Sequence, residues 1–317
     1  MLSGQKILIT GVTGMVATPL ALHLARDNEV WGVARFTDPA ARRPYEEAGI
    51  TTRAVDLGGG DLSALPADFT HVLHLGWQRA DLAELQQALR TNVEGAGLLL
   101  QHCRKAKATL VMSSMGVYSP QPDPWHKYVE SDPIGRGATA YAPTSPACKL
   151  GLEAVARFCA RAFAMPIVIA RLNTFMGPQQ SFPGMVIRSV LDDTPIFAPH
   201  DPNPHSPIHM DDMAWQVEAL LDAAATPALT VNWCGDDTVP LQDWARMAGR
   251  VLGKDVRLGT RAVAGAPPGT AADPTLRASL TGPCRTRFDE AFRALCATFN
   301  PAAEEARGAR WGALGKG

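Results

Sequence analysis

The stretch YAPTSPACKLGLE, residues 141–153, brings together a phenol, an aliphatic hydroxyl, an amine and a carboxylate. Such groups serve acid–base chemistry on a hydroxyl or a carbonyl. A phenol titrates near pH 10, and a neighbouring cation draws it toward working pH. Tyr141, eight residues before Lys149 on a proline-containing approach, could fold its phenol into a site, pack on the helix or face water. Lys149 could itself give up the proton, or hold a water that does, because a partly buried lysine shifts readily. Ser145 is a far weaker acid with a shorter side chain. Standing before Pro146, it reads as a helix N-cap with proline at the first helical position. Lys149 and Glu153 lie one helical turn apart and could form a surface pair. Tyr118, Tyr128 and His126 are further acids that a loop could bring in, His126 from the surface-like segment PDPWHKY.

Such residues need a scaffold to converge. Short β-rich runs alternate with longer helical patterns through the first half of the chain. Strands are expected at 6–10, 29–34, 51–57, 71–76, 108–114 and 166–171, and helices at 15–26, 80–105 and 146–163. That alternation predicts an α/β fold, a Rossmann-type doubly wound parallel sheet covered by helices on both faces. Past residue 175 the segments GPQQSFPG and APHDPNPHSP loosen the pattern. Two more helices, 211–224 and 240–252, flank a strand at 228–233. The expected organisation is a dinucleotide-binding domain over 1–175, rejoined by parts of 205–235. A smaller, interleaved substrate-binding portion and a C-terminal tail occupy 176–317.

Between the first strand and helix stands TGVTGMVA, residues 10–17. Gly11 permits the tight turn and Gly14 lets the backbone approach a pyrophosphate. The helix N-terminus then offers free N–H groups and a favourable dipole. Ala17 fills the third glycine position, where only close helix–strand packing is needed. Glycines punctuate many turns, but this set follows a strand and opens a helix, the context a dinucleotide site requires. Where an NAD site would place an acid for the ribose, the second strand ends in Ala34 and Arg35, with Asp38 later. A small residue followed by arginine leaves room for a 2′-phosphate and offers it a cation, so NADP(H) is expected ahead of NAD. Asp56 and Leu57 are placed to flank the adenine.

Composition bounds the rest. A chain of 317 residues can bury a full core. Apolar residues at 46% against 19% charged indicate a globule, not a disordered chain. The net charge of −1 gives no reason to expect nucleic acid or an anionic membrane as partner. No apolar run approaches the ~18 residues of a membrane span. The opening MLSGQKILITG reads as a first strand, not a signal peptide. Six cysteines without Cys-x-x-Cys spacing point to reduced thiols and the cytoplasm. His200, His205 and His209, with Asp201, Asp211 and Asp212, sit in a proline-rich loop without i, i+4 ligand spacing, so no metal is expected.

In their common order, TGVTGMVA, HVLHLG (71–76), NVEGAG (92–97), SSMGVYS (113–119), Lys149 to Glu153, ARLNTFMGP (170–178) and SPIHMDDMA (206–214) resemble one family. It is the extended short-chain dehydrogenase/reductase family, which includes the NAD-dependent epimerases and dehydratases. The likeness runs from about residue 5 to 255. It implies a Rossmann domain with a small C-terminal substrate portion, often a homodimer through two helices per subunit. In the family a serine or threonine hydrogen-bonds the substrate oxygen and a tyrosine moves the proton. A lysine lowers the phenol pKa and binds the nicotinamide ribose. By position the serine is Ser114 and the lysine is Lys149, while the tyrosine position holds Ser145 and departs from the pattern. The cofactor residues implied are Gly11, Thr13, Gly14, Met15, Arg35, Asp56, Leu57, Leu75, Gly76, Asn92 and Lys149. The substrate side would take Trp77, Tyr118, Asn173, Phe175, Met176 and Arg188. Asn173 stands one place earlier than the asparagine of the sugar-nucleotide enzymes, which counts against a nucleotide-diphosphate sugar. Residues such as Phe175, Met176, Phe182, Met185, Ile187 and Phe197 would line a mainly apolar pocket instead. The expectation is an NADP(H)-dependent oxidoreductase acting on a moderately apolar carbonyl or alcohol, with a non-standard proton donor. The alternatives are a nucleotide-binding protein without turnover, or an epimerase or lyase that retains its cofactor.

Overall fold

The computed structural model describes residues 2–138 and 142–299. In the first half, β1 (Lys6–Thr10), α1 (Ala17–Leu24), β2 (Glu29–Ala34), α2 (Arg43–Glu47), β3 (Thr51–Ala54) and β4 (His71–His74) alternate in the expected way. Next come α3 (Leu85–Leu89), α4 (Gly95–His102), β5 (Ala108–Ser114), α5 (Ser145–Ala162) and β6 (Ile167–Leu172). The remainder holds β7 (Phe175–Met176), α6 (Phe182–Leu191), β8 (Ile196–Ala198), β9 (Pro204–His205), β10 (Ile208–His209) and α7 (Met210–Asp222). It ends with β11 (Leu229–Trp233), β12 (Val239–Pro240), α8 (Leu241–Leu252), β13 (Leu258–Thr260), α9 (Thr275–Thr281) and α10 (Phe288–Ala297).

Seven of these strands form one sheet in the order β11-β6-β5-β4-β1-β2-β3, with every pairing parallel. The strand sequences explain it: Ile7 to Ile9, Val72, Leu73, Leu110, Val111 and Ile167 to Ala170 have no exposure to solvent. Apolar runs without alternation are what strands covered on both faces require. One face carries α1 and α7, with Leu20, Leu24, Val217 and Leu220 in a single cluster. The other carries α4 and α5 through Leu99, Leu100, Leu152 and Ala156. A third cluster gathers α6, α8 and α10 around Trp244, Phe288 and Phe292. The order reverses between β1 and β4, and ligands of such sheets bind beyond the carboxyl ends of the strands at that switch point.

Two departures from the sequence reading bear on function. The helix expected over 80–105 is broken: α3 passes through a π-turn, Arg90–Glu94, before α4 begins. The segment GPQQSFPG, read as turn-rich, contains the start of α6. Ser181 accepts a hydrogen bond from the Gly184 N–H, and Pro183 lies in the first turn. Serine followed by an early proline is a helix-start signal that the general richness in turn residues had masked. Among the described residues no helix is long and apolar enough to cross a membrane.

Candidate active site

The loops after β1 and β4 meet at the switch point. Gly11 has φ +65°, and a Cβ on it would lie 2.5 Å from the Gly76 Cα, so both conformation and space demand glycine. The Thr10 hydroxyl accepts from the N–H groups of Leu75 (3.1 Å) and Gly76 (2.9 Å) and meets His74 Nδ1 at 3.0 Å. Thr10 therefore locks the two loops together. In the sequence, the signal for this role is the polar residue that closes the apolar run ILI. The Gly14 N–H donates to the Gly11 carbonyl at 2.8 Å, with Thr13 and Met15 half-buried and Gly14 exposed along the turn. A close backbone turn leading into α1 fits a pyrophosphate, which accepts hydrogen bonds from such N–H groups.

Around this turn the remaining cofactor-side residues fall into place differently. Arg35 is exposed just beyond β2. Asp38 accepts from the Ala40 N–H, and Asp56, also exposed, accepts from the Gly58 N–H at 3.0 Å. Both carboxylates thus cap their own turns. Leu57 backs onto α4, where a Cβ on Gly95 would lie 2.5 Å from its carbonyl oxygen. Asn92, buried in the π-turn, accepts from the Gln78 N–H (2.8 Å) and donates to the Gln78 carbonyl (2.9 Å). It fixes the loop that carries Trp77.

Lys149 lies on α5 with 7% exposure. Its Nζ donates to the Met112 carbonyl on β5 at 2.7 Å and sits 3.8 Å from the centre of the Trp77 ring. Burial lowers its ammonium to about 7, against the opposing pull of Glu153 and Cys148. Ser114, half-buried at the end of β5, accepts from the Gly116 N–H at 3.1 Å. Both residues thus lie toward the end of β5, two strands from the glycine turn.

The surface pair that Lys149 and Glu153 could have formed is absent, and both side chains are buried. Glu153 is 2% exposed and accepts from Ser113 Oγ (2.7 Å), Arg157 Nη2 (2.8 Å), and Arg171 Nε and Nη2 (both 2.9 Å). Burial alone would raise this carboxyl, but Arg171 and its other donors hold it below the usual carboxylate range. Arg171 also donates to the Glu130 carbonyl and stacks over the Tyr118 ring at 4.7 Å. An arginine inside the apolar run IVIARL needs a buried acid, and that was the missed signal in the sequence.

Ser145 is not the N-cap. It is the first residue of α5, and Thr144 before it is already in helical conformation, with φ −82° and ψ −15°. A hydroxyl caps a helix from an extended residue, so the cap interaction is lost. Thr144 instead donates to the Ala80 carbonyl at 2.9 Å. Tyr141 lies outside the described residues.

The substrate-side residues are mostly engaged. The Tyr118 hydroxyl is buried, donates to Asn232 Oδ1 at 2.7 Å and is pushed up to about 12 by burial, so it is not a free acid. The Asn173 amide donates to the Thr270 carbonyl, and its oxygen accepts from the N–H groups of Thr174 and Ser206. Phe175 and Met176 are interior, because β7 pairs with β10 and both side chains enter cores. Ile187 is likewise fully buried. Arg188 is exposed over the Phe299 ring at 5.0 Å.

Residues 7–227 match the NAD dependent epimerase/dehydratase family. The chain belongs to that family. No curated protein sequence matches it. Among solved structures, UDP-glucuronic acid 4-epimerase from Bacillus cereus, in complex with UDP-glucuronic acid and NAD, has a TM-score of 0.77 at 22% identity. The match covers 92% of this chain and 99% of that one. DesIV, a dTDP-glucose 4,6-dehydratase from Streptomyces venezuelae with NAD and TYD bound, has a TM-score of 0.79 at 17% identity, covering 98% and 99%. UDP-glucose 4-epimerase from Thermus thermophilus, complexed with NAD, has a TM-score of 0.75 at 18% identity, covering 94% and 99%. These likenesses carry the fold.

They also correct the cofactor. NADP(H) was read from Ala34 and Arg35, yet the dinucleotide these neighbours hold is NAD. One exposed arginine beyond a strand is ordinarily a solvated side chain and does not by itself select a 2′-phosphate. Of the six residues expected to line an apolar pocket, Phe175, Met176 and Ile187 fill cores, whereas Phe182, Met185 and Phe197 are exposed.

Proposed function

We propose that this chain is an NAD-dependent oxidoreductase of the epimerase/dehydratase type, oxidising one secondary hydroxyl of a sugar nucleotide and returning the hydride within the same site. The observation that carries the reading is the convergence at the carboxyl end of the sheet. The Gly11–Gly76 backbone contact lies at the switch point, and Ser114 and Lys149 flank it at the β5 end. The UDP-glucuronic acid and NAD held by the Bacillus cereus epimerase, and the NAD and TYD held by DesIV, support it.

The chain's own groups divide the work. The turn 11–15 holds the pyrophosphate through its backbone N–H groups other than those of Val12 and Gly14, which donate to the Val33 and Gly11 carbonyls, and the Lys149 amine reaches the nicotinamide ribose. Ser114 donates to the reacting oxygen of the substrate. NAD, when bound, supplies the hydride acceptor. Thr10 and Asn92 keep the loops after β1 and β4 fixed, so that these groups need little reorganisation.

Calorimetry with NAD, followed by incubation with UDP-glucuronic acid, UDP-glucose and dTDP-glucose and chromatography of the products, tests this. The expected outcome is NAD binding and an epimerised or dehydrated sugar from one of the three. NAD binding with every sugar unchanged would move the reading to a nucleotide-binding protein without turnover. The Ser145 departure and the indole over Lys149 favour that second reading. Absence of NAD binding would end both.

A further inference from the structure

The described phenols near the site and His126 have fixed partners, whereas His74 is engaged through Nδ1 alone and its buried Nε2 has no partner. Of the four tyrosines, Tyr45 pairs with Thr18, Tyr118 donates to Asn232, and Tyr128 donates to the Ser119 carbonyl while accepting from the Gln121 N–H. Tyr141, the fourth, is outside the described residues. His126 pairs with Asp132 at 2.8 Å. The His74 ring is fully buried on β4, faces Thr10 through Nδ1 and is held neutral, its pKa lowered to about 3 by burial and by Lys149.

Lys149 is placed differently. Its surroundings are the Met112 carbonyl from β5, the Trp77 indole from the loop after β4, His74 from β4, and Cys148 and Glu153 from its own helix. Glu153 is committed to Ser113, Arg157 and Arg171, and no described carboxylate forms an ion pair with the amine. A buried amine with no carboxylate in direct contact is readily neutral even against the pull of Glu153 one turn away, and a neutral amine is a base. Trp77 is half-buried and packs against the cluster of Ala80, Ala88 and Cys148, which holds its ring over the amine.

We propose that the Lys149 amine itself exchanges the proton with the substrate oxygen, with Trp77 as the positioning residue that shields it from water. This rests on the NAD-dependent reading above. In the oxidising direction the neutral amine takes the hydroxyl proton and becomes an ammonium. The O–H and C–H bonds break and the carbonyl π bond forms, while hydrogen leaves carbon as hydride to NAD, which is reduced to NADH. Hydride return reverses each step, and the ammonium gives the proton back.

Lysine-labelled protein saturated with NAD, followed by NMR across pH with Lys149→Arg to identify the signal, tests the proposal. The Lys149 amine is expected to titrate near neutrality, to shift in Trp77→Ala, which removes both the shield from water and the ring face that attracts the cation, and to be restored in Trp77→Phe. Arginine keeps the cation and its donors but cannot release a proton. Lys149→Arg should therefore bind NAD within a few-fold of wild type and lose about 100-fold or more of its turnover on the sugar nucleotide that reacts. An amine that stays charged above pH 9 in the NAD complex would overturn the proposal. So would a Lys149→Arg variant with the wild-type rate and pH profile, or loss of the pH-dependent limb in Tyr141→Phe. If wild type takes up no NAD, the functional reading fails and this proposal with it. If NAD binds and the lysine stays charged, only the lysine proposal fails.

Discussion

Glu153 accepts four hydrogen bonds in a space that water barely reaches, and two of them come from one guanidinium. Paired donors of that kind fix orientation as well as charge. The network ties β5, α5 and β6 together one residue from Ser114 and one helical turn from Lys149, so it sets where both groups point. Glu153→Gln leaves Arg171, itself 2% exposed, without its counter-charge. Loss of one partner of a buried pair costs about 3–5 kcal/mol, and a thermal melt should fall by several degrees or more. A melt within a degree of wild type would show that the network is not what holds α5. None of this was legible in YAPTSPACKLGLE, because Ser113 and Arg171 are remote in sequence and only the fold brings them to Glu153.

The turn between β1 and α1 was, by contrast, readable in advance. A strand, glycines at 11 and 14 and a helix give the same local geometry in any parallel sheet. What TGVTGMVA did not disclose is the partner of Gly11, the backbone of Gly76 after β4. Gly11→Ala meets two penalties, a left-handed φ and a backbone clash. The conformation alone costs roughly 1–2 kcal/mol. The melt should fall by that cost, and NAD affinity, measured by calorimetry, should fall as well, because the clash with Gly76 displaces the turn. Unchanged affinity would remove the turn from the cofactor site. The helix expected over 80–105 shows the opposite case. Its apolar pattern announced a helix, but the π-turn that lets Asn92 hold Gln78 has no signature in that pattern.

Across the molecule, buried neutral histidines make stability depend on acid. Burial lowers His74 to about 3, with Lys149 adding to the shift, and lowers His205 to about 4, both from an ordinary 6.5. The unfolded chain takes up these protons below pH 6.5 while the folded chain does not. The stabilisation is therefore fully present above pH 6.5 and is lost as pH falls through about 4 for His205 and about 3 for His74. Chemical denaturation from pH 7.5 to 4.5 should show that decline, and His205→Phe should show a shallower one. Equal slopes would mean that His205 is not neutral in the folded state. The α/β class, the succession of strands along the chain and the glycine turn were all written in the residues, because apolar runs and turn residues act over a few neighbours. Packing alone made Glu153 a buried anchor, took Tyr118 out of acid–base chemistry and laid Trp77 on Lys149. Those outcomes depend on desolvation and on which polar groups meet, and both are set only when distant segments come together.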